Sequence, residues 1–139
     1  MPRFLVLAIP AAMLVLALVA AGAGALGLSP DTHPLDERGI GRPEPLSPAV
    51  QIAGIGFEAT ALVALFLLLY GRTGSLLYDG VAAGVAAWLF RGPLLVLAVA
   101  ELTRLPVEPF WQLARIALLA LPAAGLTVGF VARSSRLGS

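Results

Sequence analysis

The sequence predicts an all-α membrane protein: four transmembrane helices in a compact bundle, one integral membrane domain across residues 1–139. Three observations predict it. Hydrophobic residues make up 59% of the chain and charged ones 12%, about half the charge of an ordinary soluble domain and too little polarity to coat a water-facing surface. The mean hydropathy is +0.93. Apolar residues gather into four runs, about 4–28, 48–70, 78–100 and 109–131. Each of the last three, at 23 residues, makes roughly 35 Å of helix, enough to cross a hydrocarbon core of about 30 Å. Helices suit such runs because lipid offers nothing to pair with an open strand edge.

The first run carries no charge from Phe4 to Pro30. "MPR" before it and "AAGAGA" near its end resemble a secretory signal, but the apolar stretch far exceeds the roughly 7–15 residues usual there, so an uncleaved helix is expected. The loop 29–47 holds Pro30, Pro34, Pro43 and Pro45, which implies an extended path able to lie along a neighbouring subunit. It also holds the one histidine. His33 with Asp31 and Asp36, and Glu37 beside them, could hold a cation, although a solvated connector is the commoner role and no metal is predicted.

The second run opens with Pro48, where a missing N–H costs least, and contains only Glu58 as a charge. Tyr70 and Tyr78 flank the short link to the third run, at the depth that amphipathic aromatics favour. The third run has Asp79 at its start and Arg91 near its middle, and Gly92-Pro93 predicts a kink. Pro109, Phe110 and Trp111 open the fourth run, whose only charge is Arg115. The tail 132–139 is short and basic, suited to anionic headgroups.

With the N-terminus inside, Arg3, Arg72, Arg133 and Arg136 face the cytoplasm, against Arg38, Arg42 and Arg104 outside. That excess favours both termini inside. The Ala-, Gly- and Arg-rich, lysine-free composition points to a bacterial inner membrane. "PLSPAVQIAGI" from Pro45 and "PVEPFWQLARI" from Pro106 share Pro-x-x-Pro-x-x-Gln-[Ile/Leu]-Ala-x-Ile at an offset of 61. Either two helix starts share capping chemistry, or a helical hairpin is duplicated, as in some transporters.

An arginine at a helix centre costs about 2.5–3.5 kcal/mol on insertion scales and usually faces a partner or a wet cavity. At about 1.5 Å per residue, Glu58 lies roughly 15 Å, Arg91 roughly 13–14 Å and Arg115 roughly 9 Å from the outer ends of their runs. An intramembrane polar network of Glu58, Arg91, Arg115, Gln51 and Gln112 is therefore expected. Its closest pair is Glu58 with Arg91; Arg115 either joins them or extends outward towards Glu108. Gln51, Gly54, Glu58 and Ala61 recur at helical spacing, as do Gly80, Gly84, Trp88 and Arg91. Gly54, Gly80, Gly84 and Trp88 are the expected helix-packing residues, with Gly80-x-x-x-Gly84 at the spacing of close helix approach. The network has three uses open to it: holding register or docking a partner, carrying an anion or proton, or seating a lipid headgroup or quinone.

Missing chemistry narrows the function. No histidine lies in any run, which excludes bis-histidine haem ligation within the bundle. There is no lysine for a retinal Schiff base, no cysteine, and no metalloprotease or nucleophile-elbow motif. No cofactor is predicted beyond a bound lipid or quinone. A net charge of +1 gives no basic face for nucleic acid. The expectation is a non-catalytic small multi-pass subunit or assembly factor of a larger membrane complex. The alternative is a small homo-oligomeric transporter or channel using the Glu/Arg network. Partners are accordingly other membrane subunits or further copies of the chain, and the lipid bilayer.

Overall fold

A computed structural model of the chain describes residues 2–28, 30, 33–39 and 46–135. Among these, the elements are α1 (Pro2–Ala25), a single turn α2 (His33–Asp36), α3 (Pro48–Leu69), α4 (Leu76–Arg91), α5 (Pro93–Leu102) and α6 (Glu108–Ser134). Four stretches, Arg3–Ala25, Pro48–Leu69, Leu76–Leu102 and Glu108–Ser134, are long and apolar enough to cross a membrane.

The helices run alternately up and down, and each packs against its neighbours around the ring α1, α3, α4, α6; the largest interface joins α4 to α6. The ends of α3 and α6 therefore meet the starts of α4 and α1 at one pole, which is called here the turn end. The other pole, the loop end, carries residues 26–28, 30, 33–39, 46–47 and 103–107. At the turn end, Phe4 packs against Phe66 with the rings tilted and their centroids 5.8 Å apart, and Phe66 meets Tyr70 edge-on at 6.0 Å.

Alanines make up much of the interior, with Phe4, Phe66, Leu62 and Val128 as larger buried side chains. Ala8, Ala12, Ala59, Ala83, Ala124 and Ala132 are fully buried, whereas Phe57, Leu68, Phe90 and Leu119 project outward. This is the pattern of helices that meet through close backbone approach and present bulky apolar groups to lipid. α6 is the central helix: 44% of its apolar window is buried, against 22% in each of the other three. Its buried positions Ala114, Ala117, Ala120, Ala124, Val128 and Ala132 recur every three or four residues, one continuous stripe.

The helix limits differ from those expected for definable reasons. α1 stops at Ala25 rather than 28 because Gly27, at φ +70°, closes it. Leu28 N–H donates to Ala23 O at 2.9 Å and Gly27 N–H to Gly24 O at 3.1 Å, a Schellman cap. Within the Pro-rich loop, residues 33–36 form a helical turn, and Arg38 donates to the carbonyl of Arg104 at 2.5 Å. The third span is longer than 78–100 and divides at Gly92, where φ is −97° and ψ −95°. Pro93 has no N–H and would clash with the carbonyl four residues back, so α5 starts afresh, with Val96 N–H bonded to Gly92 O at 3.0 Å. The tail is helical through Ser134.

Both proline-led helices match the shared "Pro-x-x-Gln" text, with Pro48 and Pro109 in their first turns.

Candidate functional site

One ion pair links two of the spanning helices. Glu58, in the middle of α3, and Arg91, the last residue of α4, join carboxylate to guanidinium. The side chain of Glu58 is 21% exposed and that of Arg91 50%, so the pair is seated at the bundle's flank rather than on its axis.

Two hollows meet at the pair. Towards the flank, a groove of about 480 Å³ is lined by Phe57, Glu58, Leu65, Ala87, Phe90 and Arg91. Behind it, a cavity of about 230 Å³ runs from Glu58 and Arg91 past Ala20 and Gly24 to Pro30 at the loop end. The pair is common to the two.

Local chain geometry explains where Arg91 points. Trp88 and Arg91 are three residues apart, about 60° short of a full turn at roughly 100° per residue. Trp88 faces α6, where its Nε1–H donates to the carbonyl of Ala114 at 2.8 Å. Arg91 is thereby turned to α3. Gly92 fits between: a Cβ there would stand 3.1 Å from the Ala114 Cβ and 3.0 Å from Trp88 O. Gly80 and Gly84, earlier on the same helix, lie against α6, whereas Arg91 at its end pairs with Glu58 of α3.

Those two glycines form half of a paired seam. Gly80 lies against Gly125, and Gly84 against Leu121 and Pro122, where an added Cβ would sit 2.6 Å from the Pro122 Cα. Gly129 lies equally close to Leu76 and Leu77. Gly125-x-x-x-Gly129 on α6 is the counterpart, not among the packing residues expected above, and the same four-residue spacing is its signal in the sequence.

The remaining expected residues fall elsewhere. Gln51 is exposed and folds back to donate from Nε2 to Leu46 O at 2.8 Å, serving the start of α3 rather than a polar network. Gly54 is exposed, with nothing within 4 Å of where its Cβ would be, so it is not a packing residue. Both follow from the break at Gly92, because beyond it α5 does not pack against α3, and the first half of α3 loses its neighbour on that side. Arg115 and Gln112 line a separate cavity between α1 and α6, of about 540 Å³. No carboxylate among the described residues forms an ion pair with Arg115, neither Glu58 nor Glu108.

In the loop, His33 Nδ1 lies 3.4 Å from Glu37 Oε1. Asp36 stands in the same turn, and Asp31 lies outside the described residues. Among the described residues no three potential ligands are grouped around one point.

A polar element not anticipated is Asp79. It is 0% exposed, and its carboxylate accepts from Gly71 N–H at 2.7 Å and Thr73 N–H at 3.0 Å. Between α3 and α4 the chain makes a tight turn, with Gly71 at φ +76° and Arg72 N–H bonded to Leu69 O at 3.0 Å. Asp79 holds that turn closed from inside, its buried carboxylate satisfied by the two backbone N–H groups of the turn.

Compared with known protein families, curated proteins and solved structures, the chain matches none of them.

Proposed function

We propose that the chain is a non-catalytic multi-pass subunit of a larger membrane assembly, docked through the α3/α4 groove with the Glu58–Arg91 pair at its floor. The observation that supports this most is the 50% exposure of the Arg91 side chain on a flank otherwise furnished with Phe57, Leu65 and Phe90. A half-exposed charge facing hydrocarbon is costly, by about 2.5–3.5 kcal/mol on insertion scales, and a covering helix removes that cost. A guanidinium has five N–H donors, more than one carboxylate takes up. The partner expected is therefore a transmembrane helix with bulky apolar groups for Phe57 and Phe90 and one polar acceptor for Arg91.

A bacterial inner membrane, with both termini cytoplasmic, accompanies this reading. Among the described residues, Arg3, Arg72 and Arg133 stand at the turn end and Arg38 and Arg104 at the loop end, the sense of the positive-inside rule.

A photo-crosslinking residue placed at Phe57 or Phe90 tests the reading. It should capture one larger membrane protein in native membranes, whereas the same residue at Leu119, on α6, should not. Capture of a second copy of this chain, or of lipid alone, would refute it.

The cavity behind the pair favours one other reading, a small homo-oligomeric transporter or channel in which Glu58 and Arg91 gate access from the loop end. Flux through reconstituted vesicles that vanishes in Arg91→Leu would favour this alternative.

A further inference from the structure

The α1/α6 edge of the bundle, opposite the α3/α4 groove, carries a second polar feature with its own cavity. Arg115 and Gln112 stand one helical turn apart on α6, and facing them Val19, Gly22, Ala23, Leu26 and Leu28 of α1 and its cap leave about 540 Å³ open. The space is there because α1 thins at this end. Where a Cβ on Gly22 would be, nothing lies within 4 Å. The Schellman cap at Gly27 fixes Leu26 and Leu28 at the rim.

Depth decides what kind of anion suits Arg115. α6 has 27 residues, roughly 40 Å of helix, which matches a bilayer measured with its headgroup regions, about 40–45 Å. Arg115 lies seven residues from Glu108, roughly 10 Å below that end and about 5 Å beneath the hydrocarbon boundary. An arginine side chain that extends along the helix carries its guanidinium back up to that boundary, the level of lipid phosphates. A guanidinium binds phosphate oxygens through paired N–H donors, and Val19, Ile116 and Leu119 below it continue the cavity as an apolar wall for an acyl chain.

We propose that this cavity is a phospholipid-binding site, in which Arg115 holds the phosphodiester and the glycine-thinned end of α1 accommodates the upper part of a chain. It also accounts for a charge near the hydrocarbon boundary with no acidic partner among the described residues.

Native mass spectrometry of the full chain in mild detergent tests the site, using dioleoylphosphatidylglycerol, dioleoylglycerol and inorganic phosphate. The wild type should retain the phospholipid at least roughly tenfold better than dioleoylglycerol, the worth of a charge-assisted hydrogen bond. Arg115→Gln should remove that preference, Arg115→Lys should keep most of it, and Arg104→Gln should leave it unchanged. Gly22→Leu fills the cavity without touching the charge and should also lose the lipid. Equal retention of dioleoylglycerol, an undiminished preference in both Arg115→Gln and Gly22→Leu, or displacement by millimolar inorganic phosphate would overturn the proposal; the last would make the site one for a soluble anion. Should Arg115→Gln fail to fold, Gly22→Leu alone decides.

Discussion

Gly80 and Gly125 lie backbone against backbone: a Cβ on either would strike the carbonyl oxygen of the other. This reciprocal contact, repeated one turn on at Gly84 and at Gly129, makes the α4/α6 seam the rigid half of the bundle. Bulk cannot be absorbed there by a rotamer change, because the atoms in the way are backbone.

Gly125→Leu and Gly80→Leu should therefore each destabilise the fold by about 3 kcal/mol or more, at or above the upper end of ordinary overpacking. Gly54→Leu, on the open side of α3, should change stability little. Thermal melting of the purified protein in detergent checks both.

Asp79→Ala should cost about 2–4 kcal/mol, since it leaves the N–H groups of Gly71 and Thr73 without their acceptor in a closed turn. Asp79→Asn keeps one acceptor oxygen and should fall between. Limited proteolysis at residues 71–74, followed over time, reads the opening of that turn directly.

Trp88→Phe removes one donor but retains most of the ring. A loss of about 1 kcal/mol is expected from the hydrogen bond to Ala114, with greater mobility at the α4/α5 break. Hydrogen exchange at Val96, whose N–H starts α5, should quicken while that of Val128 does not.

The Glu58–Arg91 pair should behave non-additively. Arg91→Leu alone leaves a part-buried carboxylate without its partner, and Glu58→Leu leaves the guanidinium; each should destabilise. The double substitution to leucine should recover much of the loss, because well-packed apolar residues often replace a buried pair at little cost. A double-mutant cycle on melting temperature measures the coupling.

The four spans were legible because crossing a bilayer imposes a length and an apolar character that composition cannot hide. Their limits were less so: Gly27 ends α1 early through a capping geometry, and α6 continues past Val131 because nothing stops it. Glu58 and Arg91 could be matched because residue count gives depth and helical spacing gives a face. Depth alone misplaced Arg115, which is at a comparable level but faces α1. Spacing alone misplaced Gln51 and Gly54, which share the face of Glu58 but lie where α5 has veered from α3. Gly125 and Gly129 were visible in the text as soon as Gly80 and Gly84 demanded a partner of equal thinness. Asp79 was hidden by its position, since an acid in the first turn of a helix reads as complementing the helix dipole rather than as reaching back to the preceding turn.

The most direct measurement is the mass and composition of the protein extracted from its own membrane in mild detergent, for the wild type and for the Glu58→Leu, Arg91→Leu double variant. The wild type should travel with a larger membrane protein in fixed stoichiometry, and the folded double variant should travel without it. A wild-type protein that runs alone or only with copies of itself would contradict the proposed docking.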